Sequence, residues 1–134
     1  SYGVPGPRGL PLFKPPYTSI TAIDLNTGEM RWKIPIGDGP RNHELLKDMN
    51  LPPLGDDGRP FALTTRSLLL VAHAARTPRL YAFDKATGKE IMRKDLAATP
   101  SGAPMTSLAG KKQYICIPVG GQFGAGLYTL ALPD

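Results

Sequence analysis

An internal repeat with constant spacing constrains the fold of this chain more than any other feature. Its two copies carry four identical residues in register, 60 positions apart: Ala22 and Ala82, Asp24 and Asp84, Thr27 and Thr87, Gly28 and Gly88. Apolar residues surround the four positions in both copies, and a degenerate third copy at 127–130 lacks the Asp and the Thr-Gly. Identities at a fixed period indicate one supersecondary unit used more than once.

Each copy has the pattern of a β-hairpin. An alternating strand runs into Asp-x-x-Thr-Gly, and a second strand follows. The Asp side chain accepts backbone N–H groups of the turn, Thr caps it, and Gly supplies the positive φ that closes it. The repeat therefore predicts antiparallel strand pairs at 19–25 with 29–36 and at 79–84 with 89–96.

The sequence between and after these pairs predicts further strands. Candidates at 61–66 and 67–73 precede the second pair, and 103–108 and 113–119 flank a tight turn at 109–111. Four consecutive strands, followed by a new start, are the plan of a propeller blade.

Two segments break this rhythm. Residues 37–59 are rich in Gly, Pro and Asp and include a helix-compatible segment at 42–48. They predict a long ordered loop with two helical turns, a length that is often functional. The Pro- and Gly-rich residues 1–18 show no strand period and are expected to lie extended over the surface.

Composition supports many short strands and excludes several classes of protein. The 134 residues include 15 Gly and 15 Pro, and 41% are hydrophobic, which is too apolar for a disordered chain. The net charge is +5, but the basic residues are scattered, so we predict no nucleic-acid binding. The single cysteine, Cys116, excludes an internal disulfide and a Cys-rich metal site.

The first copy of the repeat resembles the tryptophan-docking motif of quinoprotein dehydrogenases. It reads Ala22-x-Asp24-x-x-Thr27-Gly28-x-x-x-Trp32. The proteins that it resembles are eight-bladed propellers around pyrroloquinoline quinone (PQQ), in which the Trp packs into the neighbouring blade. The second copy keeps the four shared residues but carries Met92 at the Trp position.

Flanking segments resemble the membrane-associated glucose/quinate/shikimate branch of that family, and the resemblance covers nearly the whole chain. The segments are 9–17, 20–24, 102–106, 112–115, 120–121 and 128–134. The implied fold is all-β: a partial β-propeller of about two four-stranded antiparallel blades, from the C-terminal end of an eight-bladed ring. Its expected parts are an extended segment (1–18), the outer hairpin of one blade (19–36), a long loop (37–59), a full blade (60–96) and most of the last blade (103–132).

The resemblance also implies a function. The whole protein is expected to oxidise a sugar, polyol or cyclic alcohol by hydride transfer to PQQ, with Ca²⁺ polarising the quinone and an Asp as base. In the family those groups come from earlier blades, so no catalytic or metal-binding residue is assigned here. Gly120 and Gly121 match the family's Gly-Gly pair near the cofactor and are the predicted cofactor-binding residues. This chain would mainly close the ring and line the cofactor channel, and it is not expected to be active alone.

The same resemblance implies partners and a location. The partners are the remaining blades, an alcohol or sugar substrate and a quinone electron acceptor, and exposed blade surfaces predict self-association. The location is the periplasm, with membrane association through N-terminal segments. The alternative function is a non-enzymatic propeller that acts as a binding or assembly scaffold.

Three further features have structural interpretations from the sequence. Asp56-Asp57-Gly58 is the only acidic pair that resembles a metal loop, and it is more typical of a solvated turn. We expect His43 to lie on the surface of the long loop. We expect His73 to be a half-buried residue at the end of an apolar strand.

Overall fold

The computed structural model of the chain describes residues 4–121 and 124–131, almost all of them in strands and loops. The chain divides into two compact units, one ending at Gly58 and the other beginning at Arg59. The strands of the described residues are β1 (Ser19–Ile23), β2 (Met30–Pro35), β3 (Gly58–Thr64), β4 (Leu68–Ala75), β5 (Arg79–Asp84), β6 (Glu90–Asp95), β7 (Thr99–Pro100), β8 (Met105–Ala109), β9 (Lys112–Gly120) and β10 (Gly126–Ala131).

The first unit is built on one hairpin. β1 and β2 pair antiparallel, with Ala22 opposite Trp32, and the register shifts between Ala22 and Ile23. Trp32 is partly buried. In β5 and β6 of the second unit Ala82 lies opposite Met92, and the register shifts at the same place, between Ala82 and Phe83. The predicted hairpins are thus confirmed, and both copies carry an irregularity at the same step.

The turns of the two copies share their backbone conformation and several hydrogen bonds. Gly28 and Gly88 have φ angles of 74° and 73°, the left-handed conformation that the sequence predicts. Three further hydrogen bonds recur with nearly equal lengths. In the first, Asp24 N–H donates to Glu29 O and Asp84 N–H donates to Lys89 O, both at 2.9 Å. In the second, Gly28 N–H donates to Asp24 O at 2.7 Å and Gly88 N–H donates to Asp84 O at 2.8 Å. In the third, Glu29 N–H donates to Thr27 Oγ1 and Lys89 N–H donates to Thr87 Oγ1, both at 3.3 Å.

We expect Gly28→Ala to lower the free energy of unfolding by about 1–2 kcal/mol, the cost of a left-handed residue with a β-carbon. An added Cβ at Gly28 meets no atom within 4 Å, so backbone strain alone causes the effect. Leu25→Ala, in the same turn and 94% exposed, is the control and should change stability by less than about 0.5 kcal/mol. Urea denaturation followed by circular dichroism measures both, and equal effects would contradict the prediction.

The second unit holds two sheets. One has the strand order β3-β4-β5-β6, and its four strands lie close to the four strand positions predicted within residues 61–96. In the other, β9 pairs with β10 on one side and with both β7 and β8 on the other. The sequence predicted β8, β9 and β10 but not β7, which has only two residues, one of them Pro100.

The two sheets of the second unit pack face to face. Their core is a cluster of Ala72, Leu80, Leu96 and Ile117, each at most 7% exposed. Partly buried side chains from both sheets pack around this cluster: Phe61, Ile115, Val119, Tyr128 and Leu130. Because successive strand residues point to opposite faces, one apolar face of each sheet supplies this core.

The face of the β3-β4-β5-β6 sheet that points away from this core carries a row of aromatic side chains. The rings of Tyr81 and Phe83 stack with centroids 5.8 Å apart, and the Arg93 guanidinium lies 5.2 Å from the centroid of Tyr81. His73 lies 6.3 Å from Tyr81 and is fully buried, so its expected half-burial is wrong. The reason is that β4 continues to Ala75, which places His73 inside the strand rather than at its end.

The first segment of the chain reverses direction. Pro5 and Pro11 form an isolated antiparallel bridge around a short 3₁₀ turn at Pro7–Gly9. The Gly6 N–H donates to Leu10 O at 2.8 Å, and this bond closes the reversal. The segment expected to be extended therefore contains a tight local fold between residues 4 and 12.

Candidate functional site

The predicted cofactor-binding pair, Gly120 and Gly121, lies where β9 ends. Gly120 pairs with Thr99 of β7, and a Cβ added to it would approach only the side chain of Ser101, at 3.8 Å. Gly121 has a φ of 136°, and a Cβ added there meets no atom within 4 Å. Within residues 4–121 and 124–131, the two glycines therefore present backbone that no other side chain covers closely.

This surface has limited chemistry. Glycine supplies a backbone N–H and a backbone C=O but no ionisable group, so the pair is suited to contact with a flat ring and not to proton transfer. Within the described ranges, no three His, Cys, Asp or Glu residues lie close enough to hold a metal ion together. The residues that follow the pair, Gln122 and Phe123, lie outside the described residues.

The acidic pair in the long loop has a structural role. The Asp56 Oδ1 accepts the N–H of Gly39 at 2.6 Å, across 17 positions of sequence. The backbone on either side of this bond is also paired, because the Gly55 N–H donates to Gly37 O at 3.0 Å. Asp56 therefore holds the two ends of the loop together, which the interpretation as a solvated turn did not include.

The rest of the long loop is tied by short-range bonds. It contains two 3₁₀ turns, Gly39–Asn42 and Lys47–Met49, close to the predicted helix-compatible segment. Arg41 forms an ion pair with Asp38 at 2.7 Å. His43 is partly buried, and its Nδ1 accepts the N–H of Leu45 at 3.2 Å. The loop is thus ordered by its own polar groups.

The carboxylates of the two repeat aspartates accept different donors. Arg31 donates to Asp24 Oδ2 at 2.7 Å and is the main cause that lowers the pKa of Asp24. In the second copy, the hydroxyl and the N–H of Thr87 both donate to Asp84 Oδ1 at 2.8 Å and lower the pKa of Asp84. Both carboxylates are engaged in turns, which leaves neither as a candidate base.

The strands at the sheet edges differ in their protection against further pairing. β2 carries Arg31 and Lys33, and four of the six residues of β6 are charged. β10 ends its sheet but contains no charged residue and no proline. Charges and Pro discourage strand addition, so β10 is the unprotected edge among these three.

One face of the sheet formed by β7, β8, β9 and β10 exposes two large apolar side chains. Met105 and Leu127 are 48% and 64% exposed. Both lie on the same face, since their partners across β9 are Cys116 and Pro118. These two side chains and the uncharged β10 edge are together called the terminal surface.

The architecture and the comparisons agree on the class of protein. Antiparallel four-stranded sheets that pack face to face, with a repeated Asp-x-x-Thr-Gly turn, define an all-β chain of the propeller type. Residues 2–115 match the family model for the β-propeller domain of PQQ-type glucose/ethanol/alcohol dehydrogenases. The chain therefore belongs to this family, and its fold is a partial β-propeller.

Curated relatives of this chain are quinone-dependent dehydrogenases. It is 35% identical to a probable quinate dehydrogenase (quinone) of Xanthomonas campestris pv. juglandis, over 94% of this chain and 17% of the relative. It is 31% identical to the quinate/shikimate dehydrogenase (quinone) of Acinetobacter baylyi, over 84% and 14%. It is 30% identical to the quinoprotein glucose dehydrogenase of Escherichia coli, over 99% and 19%. The chain thus spans less than a fifth of each relative's length.

Within residues 4–121 and 124–131, no helix has the length and apolar character needed to span a bilayer.

Proposed function

We propose that this chain is part of a PQQ-dependent dehydrogenase that oxidises a sugar, polyol or cyclic alcohol. The observation that carries the proposal is the family match over residues 2–115, together with relatives named for quinate, shikimate and glucose. The proposed location is the periplasm, with a quinone as the final electron acceptor. Ca²⁺ and the catalytic carboxylate are proposed to come from other parts of the whole protein.

The role proposed for this chain is to close the propeller. The terminal surface supports that role, because an uncharged edge strand with exposed apolar side chains beside it is a feature that another blade would cover. The parts defined from the sequence (1–18, 19–36, 37–59, 60–96 and 103–132) are proposed as the corresponding pieces of blades and loops. In this arrangement the remaining blades are the chain's main partners, and the chain alone would self-associate.

A second proposed role is to line the cofactor channel through Gly120 and Gly121. Bound PQQ supplies the acceptor for the hydride that leaves the alcohol carbon. The bare backbone at the end of β9 fits such a group, because among the described residues, chain neighbours aside, no atom lies within 4 Å of a Cβ built at Gly121. The two glycines would contribute contact and shape: a flat ring can approach their backbone closely, and a larger residue in place of Gly121 would block that approach.

A titration of this chain alone tests whether the cofactor site requires other parts of the whole protein. We expect no saturable change in the fluorescence of Trp32, the single tryptophan, on addition of PQQ with Ca²⁺. Light scattering in the same samples should show an associating chain. Stoichiometric PQQ binding by a compact monomer would contradict the proposal, since this chain would then hold a complete cofactor site.

Substitutions in the whole protein test the channel role. We expect Gly121→Ala to raise the PQQ concentration that gives half-maximal alcohol oxidation at least tenfold, because its methyl group would occupy the space that the cofactor needs. The control is Gly110→Ala, at the other end of β9, where φ is also positive and an added Cβ also meets nothing within 4 Å. Equal effects of the two would assign the loss to backbone strain. A whole protein that neither binds PQQ nor oxidises alcohols would favour the scaffold function.

A further inference from the structure

A cavity of about 360 Å³ opens on the second unit, between the β3–β4 turn and the β8–β9 hairpin. Its apolar part is formed by Leu68, Leu70 and Ile115. Its polar lining residues are Thr65, Arg66, Ser67, Thr106 and Gln113. This volume lies within the range of small-molecule sites, and so does the combination of an apolar surface with a few polar groups.

The cavity is separate from the surface proposed to line the cofactor channel. It is lined by Gln113 and Ile115, near the start of β9, whereas Gly120 ends that strand. Gly120 lies seven positions after Gln113 and five after Ile115, which corresponds to about 23 Å and about 16 Å along an extended strand. A ligand in this cavity would therefore not be the bound cofactor.

The charge of the lining selects for an anion. Arg66 is the one charged residue among the lining residues, and none of them is acidic. Arg66 is exposed, and its guanidinium forms neither an ion pair nor a hydrogen bond with any part of the chain that the structure describes. Ser67 and Thr106 add hydroxyl groups and Gln113 adds an amide, all of which can donate to an oxyanion.

The turn that carries Arg66 is fixed by hydrogen bonds. The Thr65 N–H donates to Leu68 O at 2.8 Å, and the Leu68 N–H donates to Thr65 Oγ1 at 3.0 Å. Lys85 ties the turn to the end of β5, because its Nζ donates to Thr65 O at 2.8 Å and its N–H to Ser67 O at 2.9 Å. A turn that is already ordered loses little entropy when a ligand binds to it.

We propose that this cavity binds a small monocarboxylate with an apolar ring. The planar fork of Arg66 matches the two oxygens of a carboxylate, and one cation balances one negative charge. The apolar body of the ligand would lie on the partly exposed side chains of Leu68 and Ile115, and so remove their exposed surface from water. Inorganic phosphate satisfies the cation but offers nothing to the apolar part of the cavity.

Nuclear magnetic resonance titration of the ¹⁵N-labelled chain with cyclohexanecarboxylate tests the proposal. We expect saturable amide shifts centred on residues 65–70, 106 and 113–115, with a dissociation constant on the order of 1 mM for so small a ligand. Cyclohexylmethanol, which lacks the charge, and inorganic phosphate, which lacks the ring, should each bind at least about tenfold more weakly. Absence of shifts at these residues, or equal binding of phosphate, would overturn the proposal.

Two arginine substitutions separate the cavity from general attraction to a basic protein. Arg66→Gln should weaken binding of cyclohexanecarboxylate at least about tenfold, because the charge-assisted bonds are lost. Arg76→Gln is the matched control: Arg76 is also exposed but lies in the β4–β5 turn, at the far end of β4. Equal weakening by both substitutions would overturn the proposal.

Chemical modification gives a readout that does not depend on resonance assignments. The carboxylate should slow the reaction of phenylglyoxal with Arg66 and leave the reaction with Arg76 unchanged, as measured by peptide mass spectrometry. Equal protection of the two arginines would speak for unspecific binding and against the cavity.

Discussion

Ile117→Ala is expected to lower the free energy of unfolding by about 2–5 kcal/mol. Ile117 is fully buried in the cluster that joins the two sheets of the second unit, where its neighbours include Leu80. Truncation removes apolar contacts from both sheets at once and leaves a cavity that strands cannot easily close. Urea denaturation followed by circular dichroism measures the loss.

Leu108→Ala provides the control, because Leu108 lies in the same sheet but is 71% exposed. We expect it to change stability by less than about 0.5 kcal/mol. A cycle with Leu80→Ala then tests the packing itself: the double variant with Ile117→Ala should depart from additivity by about 0.5–3 kcal/mol. A loss no larger than that of the control, or full additivity, would show that the sheets do not share a core in solution.

Gly55→Ala is expected to destabilise the first unit by about 2–5 kcal/mol, from two sources. Gly55 has a φ of 85°, which a residue with a β-carbon adopts at a cost. A Cβ at Gly55 would also lie 2.5 Å from Thr18 O and 2.6 Å from Thr18 N. The backbone at Thr18 cannot rotate away as a side chain can, so the long loop would have to move. The loss is measured by urea denaturation with Trp32 fluorescence as the probe.

Gly9→Ala separates the two sources of this loss. Gly9 has a similar φ of 79°, but an added Cβ there meets no atom within 4 Å. It should therefore cost only the left-handed conformation, about 1–2 kcal/mol. If Gly55→Ala cost no more than Gly9→Ala, the close approach of the loop to Thr18 would be wrong.

Strand positions were accessible from the sequence because their signals are local. The alternation in 79–84 and the Thr87-Gly88 turn lie within one hairpin, and a second copy at 19–36 doubles the signal. The structure places both hairpins within a residue or two of the prediction. Even the positive φ of the two turn glycines followed from residue type alone.

Features that depend on distant residues were not accessible. The bond from Gly39 to Asp56 spans 17 positions, and nothing in the local sequence links them. The burial of His73 depends on where β4 ends, and strand ends are the least regular part of a pattern. β7 is too short and too Pro-rich to show any period.

The same difference between local and long-range signals applies to the candidate sites. Gly120 and Gly121 were predicted from the resemblance alone, because a Gly pair has no chemical signature of its own, and their role remains a proposal. The cavity beside Arg66 went unpredicted, since its walls come from two hairpins about 40 residues apart in the chain. Only the packing of the two sheets brings Thr106 and Gln113 beside that arginine.

The repeated turn has a consequence for how such a chain can change. Its shape is set by backbone bonds and one left-handed glycine, which are the same in both copies. The carboxylate of each Asp accepts a different side-chain donor, Arg31 in the first copy and Thr87 in the second. The residue seven positions after the Asp is therefore free to differ, as Arg31 and Ile91 do. Substitutions at that position can therefore change the surface of a sheet without altering the conformation of its hairpin.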